Sequence, residues 1–314
     1  MNSLENIWRT VKPGRKNQSP VSIANTPFEV PMTTIGGAGD GPSVLITTGI
    51  HGSEYPATLA AIELARELNP EDVHGRLIMI HPVNTSAFKA RASAIVPEDG
   101  DNLNRMFPGD PNGGLASRMA WWLTVISDAA DFYMDLHSGD IYEELTPYVY
   151  FPGHADEKVI EASKAAAMVL DVPFMVRSGA FTGAYNSAAV RGTPAILVER
   201  GGAGFCLRND VDLYKKDIRN VLNHLGLLKS GMEPTASRPV EMTKVIYLES
   251  EHDAAWQSEV KLGQKVVKGQ NLGRVFDLFG RTLAEYRAET DGTVLYQLYT
   301  LSTNKKDVLI AYGA

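Results

Sequence analysis

Apolar residues in the first two thirds of the chain occur either in short continuous runs or at helical spacing. Residues 43–48 (SVLITT) form a β-branched run bounded by glycines and predict a buried strand, whereas residues 54–68 place apolar side chains at helical spacing. The same criteria predict strands at 132–136, 147–151 and 194–199, helices at 115–129 and 156–170, and an apolar run at 76–81. Strands that alternate with helices indicate an α/β sheet covered by helices.

The pattern changes at residues 229–239, where Gly, Pro and Ser gather between apolar segments. Residues 240–314 then contain short β-like runs broken by glycines, a rhythm typical of a small β-barrel. We therefore expect two domains, a larger one over 1–230 and a small β domain over 240–314.

Charge and composition narrow the class of protein. The 314 residues carry a net charge of −7, which argues against a general nucleic-acid binder. The first twenty residues contain no apolar stretch of signal-peptide length, and no run of about 18 apolar residues occurs. We therefore expect a cytoplasmic protein without a membrane partner. The sequence leaves the oligomeric state open, a homo-oligomer included.

The single cysteine, Cys206, excludes an intramolecular disulfide framework and fits a reducing compartment. Any metal site in this chain must therefore use His, Asp and Glu as ligands.

Polar side chains follow three of the predicted strands at the point where each strand ends. His51 and Glu54 come directly after the strand 43–48, His137 follows the strand FYMDL, and Glu199 ends the strand PAILVE. If these strands run parallel, their carboxyl ends share one edge of the sheet, where ligands of α/β proteins bind. The four side chains are then expected to converge.

His51 and Glu54 are candidate ligands of one metal ion, although Glu54 could instead stabilise the first turn of the following helix. Catalytic zinc takes three protein ligands, and two His plus one Glu is a known set. His137 is the best third ligand. Asp135, two residues before it, is either a hydrogen-bond partner of that imidazole or a buried strand residue.

A second group of candidates lies in the Gly- and Pro-framed loop 98–109. Asn104 and Arg105 present an amide beside a guanidinium fork, which suits a carboxylate, or they belong to a surface loop with an Asx turn. Arg91 is a further cation that either faces the site or is solvated. Glu199 is a candidate general base, and the alternative is an ion pair with Arg200.

The ordered set of motifs resembles the succinylglutamate desuccinylase/aspartoacylase family, a branch of the zinc carboxypeptidase-like hydrolases. The motifs that carry the resemblance are GIHGSE (49–54), HPVN (81–84), DNLNRMFPG (101–109), DLHSG (135–139) and the strand that ends at Glu199. The resemblance extends over nearly the whole chain. It implies a carboxypeptidase-like mixed sheet with flanking helices, and one zinc ion held by His51, Glu54 and His137.

The resemblance also implies roles for the other candidates. Glu199 is similar to the family's general base, Asn104 and Arg105 to the pair that binds a substrate carboxylate, and Arg91 to an arginine that polarises the scissile carbonyl. Tyr185, in FTGAYNS, lies in the region that lines the substrate pocket of related enzymes. It either shapes specificity or is a buried structural tyrosine.

The C-terminal region contains the run AETDGTV (288–294), which is similar to the hairpin of lipoyl and biotinyl carrier domains. In those domains a lysine is modified, and here Gly292 stands in its place. We therefore expect a lipoyl/barrel-sandwich-like β-barrel that covers the active-site mouth and not a carrier.

These expectations favour a zinc-dependent amidohydrolase that removes an acyl group, such as acetyl or succinyl, from a small N-acylated amino acid. A metallocarboxypeptidase that acts on short peptides is the alternative, and a non-catalytic binding protein with the same fold is the third. A lid over the mouth favours the first because it excludes long chains. The sequence does not identify the acyl group or the amine.

Overall fold

The structure, a computed structural model, describes residues 7–314. Its helices are α1 (Ile7–Thr10), α2 (Tyr55–Glu67), α3 (Thr85–Ala90), α4 (Leu115–Ser127), α5 (Glu157–Ala167), α6 (Ala184–Val190) and α7 (Arg208–His224). Its strands are β1 (Arg15–Ser22), β2 (Glu29–Gly36), β3 (Ser43–Thr48), β4 (Arg76–Ile80), β5 (Phe132–His137), β6 (Glu143–Leu145), β7 (Tyr148–Pro152), β8 (Phe174–Ser178), β9 (Ala195–Glu199), β10 (Val240–Met242), β11 (Val245–Glu249), β12 (Ala254–Ser258), β13 (Lys265–Val266), β14 (Asn271–Phe276), β15 (Thr282–Arg287), β16 (Gly292–Leu298), β17 (Ser302–Thr303) and β18 (Val308–Gly313). None of the helices in this range is both long and apolar enough to cross a bilayer.

Nine strands form one mixed sheet in the order β1-β2-β4-β3-β5-β9-β7-β8-β10. The central strands β4, β3, β5 and β9 run parallel to one another. Antiparallel pairings occur on both sides, between β2 and β4 and between β7 and β9. The predicted mixed α/β sheet with flanking helices is therefore confirmed.

The central strands bury both of their faces under helices. Val44 and Ile46 belong to an apolar cluster with residues of α2, α5 and α7, whereas Leu45 belongs to a cluster with residues of α4 and α6. All six residues of β3 are buried, as is typical of a parallel strand covered on both sides. The ends of these strands are consequently where functional polar side chains can gather.

The elements that the apolar pattern predicts agree with the structure to within three residues. The strand at 43–48 is β3, and the helix at 54–68 is α2 (Tyr55–Glu67). The pattern left α7 unassigned, although Val211, Tyr214 and Ile218 have helical spacing and are buried. By contrast, β1 is a largely exposed edge strand with a proline, so its sequence carries little strand signal.

The C-terminal strands form two open sheets. One has the order β11-β18-β16-β13, with β6 also pairing with β16, and the other has the order β15-β14-β12-β17. The two sheets share an apolar cluster that includes Trp256, Val275, Val294 and Ile310. The expected barrel is not confirmed, because neither sheet closes on itself. Each sheet also has an edge strand of only two residues, β13 in the first sheet and β17 in the second.

Hydrogen bonds cross the domain boundary that the sequence predicts at 229–239. Strand β10 follows this segment but pairs with β8 in the large sheet. Strand β6 precedes it but pairs with β16 in a C-terminal sheet. Each region therefore contributes one strand to a sheet of the other region. The division of the chain into domains 1–230 and 240–314 stays a prediction.

Candidate active site

The ends of β3, β5 and β9 bring the candidate side chains together at one edge of the large sheet. These strands are parallel, so their carboxyl ends share that edge. Glu199, the last residue of β9, pairs in register with His137, the last residue of β5. His51 and Glu54 lie in the turn between β3 and α2. All four side chains line the same cavity.

His51, Glu54 and His137 form a compact group that can hold a metal ion. The Nδ1 atom of His51 lies 2.7 Å from one carboxylate oxygen of Glu54, and Nδ1 of His137 lies 3.1 Å from the other. One ligand atom from each of the three residues lies within 4.8 Å of the others. Two imidazoles and one carboxylate match the ligand chemistry of a catalytic divalent-metal site.

The electrostatics of the group favour a cation. Burial by itself would raise the pKa of Glu54, but the imidazoles of His137 and His51 outweigh it and lower this pKa to about 2. Burial disfavours a charged His137, yet the carboxylates of Glu54 and Asp135 raise its pKa well above the ordinary value. The two buried carboxylates thus stabilise positive charge between them.

The structure shows what the carboxylates of Glu54 and Asp135 contact. Glu54 is the residue at the N-cap of α2, but its side chain makes no capping hydrogen bond. One of its oxygens accepts a hydrogen bond from the backbone amide of Ser138 at 3.1 Å, which orients the carboxylate. Asp135 is fully buried, and its Oδ2 lies 3.2 Å from Nε2 of His137. Asp135 therefore orients the imidazole, as expected for the neighbour of a metal ligand.

Glu199 has one buried carboxylate oxygen and forms no ion pair with Arg200. Its Oε2 atom is buried without a hydrogen-bond partner among residues 7–314. Burial raises the pKa of Glu199 well above the usual carboxyl range, although His137 opposes the shift. Arg200 is buried and donates to Asp217 at 2.6 Å. The alternative pairing of Glu199 with Arg200 is therefore not observed.

The residues predicted to bind substrate line the same cavity, which has a volume of about 690 Å³. Asn104, Arg105 and Tyr185 are all among its lining residues. The predicted Asx turn also exists, because Asn102 Oδ1 accepts from the Asn104 amide at 2.9 Å. Asn104 Oδ1 accepts from the backbone amide of Ala184 at 2.9 Å, so the loop holds the start of α6 beside the cavity.

Arg91 lies apart from the other candidates. It is exposed at the C-terminal end of α3, where its backbone takes the left-handed conformation with φ 53°. The cavity is lined on this side by Ala94, three residues later. The role of Arg91 in polarising a carbonyl stays a prediction.

Comparison with known proteins identifies the family. Residues 40–225, more than half of the chain, match the sequence model of the Succinylglutamate desuccinylase/Aspartoacylase catalytic domain. The chain belongs to this family. The N-alpha-acetyl-L-2,4-diaminobutyric acid deacetylase of Halomonas elongata is 32% identical over 292 residues, which cover 89% of this chain and 84% of the relative.

Solved structures of related proteins have the same fold as this succinylglutamate desuccinylase/aspartoacylase family member over nearly its whole length. The product-bound Ectoine utilization protein EutE (DoeB) from Ruegeria pomeroyi is 30% identical, with a TM-score of 0.84 over 97% of this chain and 98% of that one. A succinylglutamate desuccinylase/aspartoacylase from Rhodobacter sphaeroides is 28% identical, with a TM-score of 0.83 over 96% and 94%. The similarity therefore includes the C-terminal sheets that lie beyond the family match.

Several residues that line the cavity of this family member were not among the candidates predicted from the sequence. Tyr148 and Tyr150 come from β7, and the hydroxyl of Tyr150 lies 2.7 Å from that of Tyr247 in β11. Met242 and Thr243 also line the cavity. No local signal marks these residues, because β7 and β11 belong to different sheets and are distant in the sequence.

Asp140 supports the turn that carries the metal-ligand candidates. One of its oxygens accepts from the hydroxyl of Ser53 at 2.5 Å, and the other accepts from the hydroxyl of Ser93. Asp140 is buried and lies three residues after His137 in the segment DLHSGD. The available signal was an acidic residue directly after the motif DLHSG.

Proposed function

We propose that this family member is a zinc-dependent hydrolase that removes the acyl group from small N-acylated amino acids. The observation that carries the proposal is the position of Glu199, with one buried and unpaired oxygen, beside the group formed by His51, Glu54 and His137. Metal-assisted hydrolysis of an amide uses a base next to a Lewis acid. The deacetylase activity in the name of the Halomonas elongata relative supports the same reaction.

Zinc is the metal that two imidazoles and one carboxylate favour. His51, Glu54 and His137 would hold one ion, and Asp135 keeps the His137 ring in place through the contact at its Nε2. When bound, the ion supplies a Lewis acid that acidifies water and polarises the amide carbonyl.

The chain's own residues account for proton transfer and substrate orientation. The raised pKa of Glu199 suits its carboxylate to take a proton from the attacking water and then deliver that proton to the nitrogen of the leaving amine. Asn104 and Arg105 offer an amide and a guanidinium to the substrate carboxylate. Tyr185 shapes the pocket wall, and Arg91 is assigned to the carbonyl oxygen on the resemblance.

The composition of the cavity wall favours small substrates over peptides. Three residues near the start of the C-terminal region line the cavity: Met242 ends β10 of the large sheet, Thr243 lies in the two-residue link that follows, and Tyr247 lies in β11 of a C-terminal sheet. We propose that this region covers the mouth of the site. A long peptide would have to displace it, which places a metallocarboxypeptidase second.

The decisive experiment incubates zinc-quantified protein with a panel of N-acetyl and N-succinyl amino acids and with short peptides, and measures the released amine. We expect turnover of at least one N-acyl amino acid and its loss when a chelator removes the metal. Cleavage of peptides together with inert N-acyl amino acids would favour the carboxypeptidase. A metal-loaded protein that cleaves none of them would contradict a catalytic role.

A further inference from the structure

Arg91 has a strained backbone conformation that its neighbours must hold in place. It follows α3 with φ 53°, in the left-handed region that residues with a Cβ atom rarely adopt. A residue keeps such a conformation only where the surrounding contacts impose it, and such residues gather at functional sites. The contacts that impose it are expected in the segment that follows, residues 91–96.

The segment 91–96 packs directly against the turn 51–54, which carries two of the candidate metal ligands. The backbone amide of Gly52 donates to the carbonyl of Ser93 at 3.3 Å. Gly52 also lies so close to α3 that a Cβ atom there would sit 2.2 Å from the carbonyl carbon of Ala87. A movement of the segment 91–96 therefore displaces the turn as well.

Asp140 joins the same two parts of the chain through the two oxygens of one carboxylate. Its Oδ1 accepts from the hydroxyl of Ser53 at 2.5 Å, and its Oδ2 accepts from the hydroxyl of Ser93. Asp140 is 5% exposed, and it forms no ion pair with a basic side chain among residues 7–314. A buried charge without a counter-charge is costly, so hydrogen bonds must offset the cost. The two hydroxyls and the amide of Ile141 supply these bonds, which are strong because the acceptor is charged.

We propose that Asp140 is a positioning residue whose two oxygens hold two different parts of the active site. Through Ser93, Oδ2 keeps Arg91 in place for the carbonyl of the substrate. Through Ser53, Oδ1 holds the turn 51–54 in the geometry that binds the metal ion. The inference rests on the proposed deacylase function, and it adds a residue that acts on the reaction through its neighbours.

The first test does not depend on activity. Hydrogen exchange of the metal-free full-length protein is followed at the amides of Ala92 and Val96, which donate to the carbonyls of Ala87 and Asp101. Ser93→Ala removes one hydrogen bond to a charged group, so we expect both amides to exchange at least about tenfold faster. Ser93→Thr keeps the hydroxyl and should retain the wild-type rates.

Ser86→Ala is the matched control for this variant. Ser86 lies in the neighbouring helix α3, and its hydroxyl also donates to a carboxylate, that of Glu98, in an exposed contact. Ser86 is not among the residues that line the cavity. The control should leave the exchange rates, kcat and zinc affinity unchanged.

The second test separates the two oxygens on zinc-loaded protein, with an N-acyl amino acid that the wild type cleaves. Ser93→Ala should lower kcat by about tenfold and leave KM and zinc affinity within about twofold, because only the group at the carbonyl is displaced. Ser53→Ala should lower zinc affinity by about tenfold in competition with a chelator, and leave kcat of the zinc-saturated enzyme within about twofold. A residue that only stabilises the fold would change kcat and zinc affinity together in both variants.

The failures of this inference and of the proposed function are distinguishable. Unchanged exchange in Ser93→Ala would overturn the role of Asp140 in holding the segment 91–96. Faster exchange with an unchanged kcat, or an equal loss of zinc affinity in Ser93→Ala and Ser53→Ala, would overturn the positioning role alone. Zinc-loaded protein that cleaves no N-acyl amino acid would overturn the proposed function and the role of Arg91 with it, whatever the exchange rates.

Discussion

The Nε2 atom of His137 lies 3.2 Å from Oδ2 of Asp135, and both side chains are buried. The other ring nitrogen of His137, Nδ1, faces Glu54. Asp135 therefore sets which nitrogen is presented to a metal ion. Both residues belong to β5, a central strand of the large sheet. The strand itself therefore positions the imidazole that is a candidate metal ligand.

Replacement of Asp135 by Asn should weaken metal binding without unfolding the protein. Loss of a carboxylate that orients a histidine ligand typically lowers metal affinity by about 10- to 100-fold. Competition with a chromogenic chelator measures the affinity. Asp131→Asn is the control, because Asp131 accepts a backbone hydrogen bond from Ser43 at the other end of the sheet. Equal zinc affinity in both variants would contradict the role of Asp135.

Replacement of Glu199 by Gln should remove catalysis and leave the metal in place. The amide keeps the shape of the side chain but cannot take a proton, so we expect kcat to fall by about 10²- to 10⁴-fold. Zinc content and thermal unfolding are measured on the same sample. Glu241→Gln changes a carboxylate that pairs with Lys164 on the surface and should retain wild-type kcat. A Glu199→Gln variant with the kcat of wild type would refute the assignment of Glu199 as the general base.

Replacement of Tyr247 by Ala should affect substrate binding more than chemistry. The change removes the hydroxyl contact to Tyr150 and opens the cavity wall that β11 supplies. Because the wall that encloses the substrate is lost while the reacting groups stay in place, we expect KM to rise by roughly fivefold, which corresponds to about 1 kcal/mol of binding free energy, with kcat nearly unchanged. Tyr299→Ala is the control, because Tyr299 is exposed and does not line the cavity. An unchanged KM in Tyr247→Ala would argue against a wall contributed by β11.

Asp171 should make the stability of the protein depend on pH in the acidic range. Burial alone would raise the pKa of Asp171, but hydrogen bonds from Lys216 and from the backbone amides of Ala236 and Ser237 together lower it. A lowered pKa in the folded state stabilises the protein at every pH above the unfolded value of about 3.9. This contribution is lost as the pH falls below that value.

Asp171→Asn should therefore lower the free energy of unfolding at pH 7 by about 1–3 kcal/mol, since charged hydrogen bonds become neutral ones. The difference from wild type should shrink as the pH approaches 3. Urea unfolding at both pH values measures it. A difference that stays constant with pH would show that the charge of Asp171 is not responsible.

Much of the fold was predictable because its signals are local. The strand 43–48 follows from a continuous β-branched run between glycines and the helix 54–68 from apolar residues at helical spacing, and each agrees with the structure within one residue. The positions of His51, Glu54 and His137 relative to the strand ends were also visible in the sequence. Helix α7 carried the same kind of signal in polar surroundings and was missed.

The sequence by itself determined which residue types stand at the ends of the central strands, because strand ends and turns are encoded by neighbouring residues. Only the tertiary structure decided that Arg200 pairs with Asp217 and leaves Glu199 free. It also decided that Tyr150 meets Tyr247, 97 residues away, and that the C-terminal sheets stay open. These features depend on which helices and strands pack against one another, and no local period of the sequence encodes packing between distant elements.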